Sequence, residues 1–161
     1  MQVLRTVFFL LVLGNLLLFA WGQGYLGTTG GVGEGDAEWQ RRVAAHRSRR
    51  PDSWTTVETT DLEGMLDAAA PGDVLLVDCL TLWLSNLMHA GRDVESETDR
   101  LVRLLRVIDG PVVFVSNEVG MGTVPDNKLA RDFRDHAGRM NQAIAAAAQR
   151  VVFVAAGLPL T

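Results

Sequence analysis

Residues 112–125 read V-V-F-V-S-N-E-V-G-M-G-T-V-P. Val112, Val113, Phe114 and Val115 follow the turn-forming Asp109-Gly110-Pro111 and fit a strand buried in a sheet. The strand empties into Asn117-Glu118 and a loop carrying Gly120 and Gly122. In open α/β sheets ligands bind outside the carboxyl ends of the strands, where these polar residues are expected to stand. Gly120 and Gly122 admit backbone angles and close approaches that a Cβ forbids. The plainer reading of the same residues is an ordinary β-to-α connection, with Glu118 a solvated surface acid.

Working outward, residues 74–78 read V-L-L-V-D, a second buried strand that ends in an acid. Asp78 resembles the acid that holds the Mg²⁺ of a nucleotide at such a strand end, although many α/β strands end in Asp. Thr81, just beyond, is expected to add a hydroxyl to the same site. Residues 80–90 read as an apolar helix with Trp83, Leu84 and Leu87 in the core. Residues 93–108 are amphipathic, with Leu101, Leu104, Leu105 and Ile108 inward and Arg100, Arg103 and Arg106 outward. Downstream of the glycine loop, 127–149 reads as one long helix. Arg131 with Asp135, and Asp135 with Arg139, have the spacing of stabilising pairs on its face. Residues 151–154 form a last strand. Upstream, 53–60 alternates as a strand does, and 61–70 reads as a short helix with Leu62, Met65, Leu66 and Ala69 on one side. Strands alternating with helices imply an α/β fold with a mostly parallel sheet and helices on both faces.

The 161 residues suffice for one domain with a sizeable core. With 48% hydrophobic and 21% charged residues the chain is not a disordered one, and a net charge of −4 argues against general nucleic-acid binding. Basic residues cluster locally, at Arg41-Arg42 and in Arg47, Arg49 and Arg50, which suits a small anion such as a phosphate. Cys79 is the single cysteine, so no intrachain disulfide forms and a reducing compartment fits.

The amino terminus has a different character. After Arg5 comes T-V-F-F-L-L-V-L-G-N-L-L-L-F-A-W, ending at Trp21. The run is short for a membrane span and carries Asn15 in its middle. It reads as an export signal, an anchor, a buried core segment or a foreign start misjoined to the domain. Residues 1–23 are accordingly set apart from a domain over 24–161. The glycine-rich passage 22–35 is not a phosphate loop: that needs G-x-x-x-x-G-K-S/T, and Lys128 is the only lysine in the chain. Asp36 suits the N-cap of a helix in which Trp39, Val43 and His46 share a face before Pro51 stops it. His46 fits a neutral nucleophile beside guanidiniums, and equally a surface histidine on a basic helix end.

Several of these pieces stand together in one order. Arg42-x-x-x-His46-x-x-x-Arg50-Pro51-x-x-Trp54 comes first, then Asp78 after its strand, then N-E-V-G-M-G-T-V-P. Arg131-x-Phe133-Arg134-Asp135-x-x-Gly138-Arg139-x-Asn141-Gln142 follows. Over about residues 24–161 this resembles the bifunctional adenosylcobinamide kinase/adenosylcobinamide-phosphate guanylyltransferase family of cobalamin biosynthesis. The resemblance implies a P-loop-type (RecA-like) sheet, a homotrimer and a cytoplasmic location. It implies phosphorylation of adenosylcobinamide by ATP or GTP, then transfer of GMP from GTP through a guanylyl-histidine. His46 would be the nucleophile and Asp78 would serve Mg²⁺. Arg47, Arg49, Arg50, Glu58, Asn117, Glu118, Gly120 and Gly122 would bind the nucleotide. Where the family has a first strand, a G-G-x-R-S-G-K-S loop and a helix, this sequence has the apolar run, so impaired activity is expected. The competing expectation is a membrane-tethered, non-catalytic module, held through residues 1–23, that binds corrinoid or nucleotide.

Overall fold

The structure is a computed structural model that describes residues 6–8, 41, 44, 45, 48, 51 and 53–160. Its strands β1 (Thr6–Phe8), β2 (Thr55–Thr56), β3 (Val74–Asp78) and β4 (Val112–Val115) form one sheet in the order β2-β1-β3-β4. Every neighbouring pair in it is parallel. The described helices are α1 (Leu62–Asp67), α2 (Leu80–His89), α3 (Val94–Leu105) and α4 (Lys128–Ala147).

The helix starts are set by side chains that accept otherwise unpaired backbone N–H groups. Asp61 accepts from Gly64 at the head of α1. Asp93 accepts from Glu95 and Ser96 at the head of α3, where Glu95 and Glu97 also favour the positive end of the helix dipole. Asn127 accepts from Ala130 at the head of α4. Gly110 turns the chain into β4 at φ +149, and a Cβ there would lie 3.2 Å from the Asp73 carbonyl oxygen. The strand 53–60 shortens to Thr55–Thr56.

Alternation along the strands sorts the two faces of the sheet. Leu75 pairs with Val112 and Val77 with Phe114, and this face joins one core with Leu62, Leu66, Leu84, Leu101, Phe133, Met140 and Ile144. On the other face Leu76 pairs with Val113, which is 51% exposed, and Asp78 pairs with Val115, which is 40% exposed. Helices α1 to α4 thus share one face of the sheet. The connections β2-α1-β3 and β3-α2-α3-β4 step across the sheet in the same direction. Right-handed crossovers that step the same way put their helices on the same side.

The carboxyl-terminal residues also differ from expectation. The strand expected over 151–154 is β5 (Phe153–Ala155), which pairs antiparallel with a further strand, β6 (Leu158–Leu160), in a sheet of its own. Ala156 and Gly157 join them at φ +52 and +81, the two positive angles of a tight hairpin turn whose twist matches its strands. Among the described residues no helix is long and apolar enough to cross a membrane. The segment 9–40, which holds most of the apolar run, lies outside the described residues.

Candidate functional site

Asp78 is the last residue of β3 and stands in register with Val115, the last residue of β4. The two parallel strands therefore release Cys79-Leu80-Thr81 and Ser116-Asn117-Glu118 at one edge of the sheet. The chain leaves β1 toward β2 and leaves β3 toward β4, so the strand order reverses between neighbours β1 and β3. Such a reversal is where open α/β sheets form their ligand crevice. Asp78 is half-buried at that point, and its peptide bond to Cys79 is cis.

A compact polar network ties the two strand exits together. Asn117 donates from Nδ2 to Thr81 Oγ1 at 2.6 Å and from its backbone N–H to the same oxygen at 3.3 Å. Its Nδ2 also lies 3.6 Å from Cys79 Sγ, which in turn is 3.2 Å from Thr81 Oγ1. Thr81 is 2% exposed, so its hydroxyl faces these partners and not the solvent. Burial in the first turn of α2 holds the Thr81 hydroxyl against Asn117 and Cys79. From α4, Asn141 Nδ2 donates to the Asn117 carbonyl at 3.3 Å, and Asn141 Oδ1 accepts from Ser116 Oγ at 2.6 Å.

Beyond Asn117 the loop opens to solvent. Glu118 is exposed, and its Oε1 accepts from the Gly120 N–H at 2.6 Å. A Cβ on Gly120 would lie 2.8 Å from that oxygen, while around Gly122 nothing lies within 4 Å. Neither glycine has a positive φ. The freedom expected of them is therefore not used for backbone angles, and only Gly120 makes a close approach. At the far end Arg131 Nη1 donates to the Pro125 and Asp126 carbonyls at 3.0 and 2.6 Å. The loop is thus held at both ends, and its middle presents Met121 and Val124, 76% and 63% exposed.

The expected pairs on α4 do not form, because each partner has a closer one. Arg131 is turned back onto the loop, Asp135 meets Arg134 at 3.6 Å, and Arg139 reaches Glu95 on α3 at 3.3 Å. On the same helix the Lys128 ammonium donates to Asp132 and holds its carboxyl below the usual carboxylate range.

Glu58 is exposed two residues after β2, on the same carboxyl side of the sheet but separated from β4 by β1 and β3. His46, Arg47, Arg49 and Arg50 lie outside the described residues; their neighbours Ala44 and Ala45 are helical. Among the described residues no group of three or more His, Cys, Asp or Glu side chains could hold a metal ion. Sequence reading missed the part Asn141 plays, beyond its place in a motif. Its one local signal is an Asn in mid-helix, where its side chain normally competes with the helix.

Comparison with known proteins bears on what this edge is for. The CobU family, described as cobinamide kinase / cobinamide phosphate guanyltransferase, matches residues 20–161. The bifunctional adenosylcobalamin biosynthesis protein CobP of Pseudomonas aeruginosa is 45% identical over 130 residues, covering 78% of this chain and 75% of the relative. The CobU proteins of Salmonella typhimurium and Escherichia coli carry the same bifunctional description. Each is 38% identical over 140 residues, covering 76% of this chain and 77% of the relative.

Proposed function

The chain belongs to the cobinamide kinase / cobinamide phosphate guanyltransferase family of cobalamin-biosynthesis enzymes, and from that premise we propose that it transfers GMP from GTP to adenosylcobinamide phosphate through His46. The observation that carries the reading is the shared strand edge, where Asp78 stands level with Val115 and Asn117 is locked to Thr81. A nucleotide laid across that edge meets a carboxylate on one side and a loop held at both ends on the other.

In the first step a neutral imidazole nitrogen of His46 attacks the α-phosphorus of GTP. A nitrogen–phosphorus bond forms, the bond to the bridging oxygen breaks, and pyrophosphate leaves. In the second step a phosphate oxygen of adenosylcobinamide phosphate attacks the same phosphorus and releases the imidazole. Arg47, Arg49 and Arg50, close to His46 in sequence, stabilise the charge that develops on the phosphates. Glu58, Asn117, Glu118, Gly120 and Gly122 line the nucleotide. Mg²⁺ fits this donor set, because it takes one or two carboxylates plus substrate phosphates rather than a full protein cage; Asp78 is the carboxylate that would hold it. Bound there, the ion would neutralise phosphate charge.

The companion reaction phosphorylates adenosylcobinamide with ATP or GTP. The 161 residues contain no G-x-x-x-x-G-K-S/T run, so β- and γ-phosphates bind weakly and both reactions are impaired. The sheet is of the P-loop (RecA-like) type, which the parallel order and the reversal between β1 and β3 support. The catalytic domain spans 24–161, with the apolar segment 1–23 lending it β1. The enzyme works in the cytoplasm as a homotrimer. The exposed apolar residues Val113, Val115, Phe153, Val154, Leu158 and Leu160 are surface that subunit contacts would cover.

Incubation with α-labelled GTP and Mg²⁺ tests the proposal. An acid-labile label on the protein, absent from His46→Ala, is the expected result. A label that survives in His46→Ala overturns the histidine, and no label on the wild-type chain overturns the transfer.

A further inference from the structure

We infer that Thr81 and Asn141 are positioning residues, which hold Asn117 in one orientation so that the loop after β4 meets the nucleotide preformed. The inference rests on the nucleotide reading of that loop. Nothing in the residue order marks Thr81 for this task, since 36 residues separate it from Asn117.

The Thr81 oxygen has two lone pairs and one proton. Asn117 supplies two donors to it, at 2.6 and 3.3 Å, which occupies both lone pairs. The hydroxyl proton is left for Cys79 Sγ at 3.2 Å, a weak acceptor. Thr81 is 2% exposed and Asn117 half-buried, so water replaces a missing partner only in part. Asn141 closes the other side, accepting from Ser116 and donating to the Asn117 carbonyl. The side-chain Nδ2, the N–H and the carbonyl of Asn117 are all committed. The next residue, Glu118, is exposed. The lock thus ends where the residues read as nucleotide-binding begin.

Thr81→Val keeps the shape and removes the acceptor, whereas Thr81→Ser keeps the acceptor. Two measurements are made on the full chain at a temperature where every variant is folded. The first is amide hydrogen exchange over residues 116–124. The second is the GTP concentration that half-saturates label incorporation. In Thr81→Val exchange in the loop should speed up, and half-saturation should rise roughly 10-fold, as the loss of the acceptor for two half-buried Asn117 donors implies. Thr81→Ser should behave as wild type. Asn141→Ala should shift both readouts in the same sense, and it serves alone if Thr81→Val does not fold. A Thr81→Val chain that melts earlier but keeps wild-type loop exchange and half-saturation overturns the inference, since that is the signature of a merely structural hydroxyl. A wild-type chain that takes up no GTP overturns the nucleotide reading and with it the role assigned to the lock. The exchange comparison still decides in that case whether the lock itself exists.

Discussion

One substitution placed at two sites tests the finding that the described helices cover a single face. Val77→Thr and Val113→Thr exchange the same methyl for a hydroxyl on adjacent strands. Both residues stay β-branched, so strand preference is kept. Val77 is 1% exposed and packs into the helix-covered core; Val113 is 51% exposed on the opposite face. At Val77 the hydroxyl loses water without gaining a partner, which costs about 1–3 kcal/mol, and about 0.8 kcal/mol of apolar transfer is lost with the methyl. For a chain of 161 residues each kcal/mol lowers the melting temperature by about 2–4 °C, so Val77→Thr should melt roughly 4–15 °C lower. At Val113 the hydroxyl reaches water, the change stays within about 0.5 kcal/mol, and the midpoint moves by no more than about 2 °C. Scanning calorimetry at matched protein concentration reads both. If Val113→Thr falls as far as Val77→Thr, the second face is covered in the folded protein and the one-sided description is wrong.

Two further predictions concern α4, the helix that follows the loop. Asn127→Ala removes the acceptor for the Ala130 N–H at 2.7 Å and should destabilise the protein by about 0.5–2 kcal/mol, read by urea denaturation, while Asn127→Asp should retain most of the stability. Asp132 should titrate below the usual carboxylate range by NMR and move up in Lys128→Ala, because the lysine's hydrogen bond and charge favour the ionised form. Since its folded pKa is depressed, any stability it adds is present above the unfolded pKa and is lost as pH falls through the folded one. Stability of the wild type and of Lys128→Ala should therefore converge at strongly acidic pH; a gap that persists there would remove Asp132 as the cause.

The order of residues by itself determined the α/β class, the strands ending at Asp78 and Val115, and the helix starts at Asp61, Asp93 and Asn127. It also determined family membership, through motifs matched over residues 20–161. Those features are local: period, caps and turn residues act within a few positions of themselves. The tertiary structure alone decided that α1 to α4 share one face, because that follows from the direction in which each crossover steps across the sheet. It alone brought Thr81 onto Asn117, joined Asn141 to Ser116, and drew Arg139 to Glu95 in place of Asp135. Each of these contacts joins residues 25 to 44 positions apart, and such pairs meet only once strand register and helix packing have set which side chains face one another.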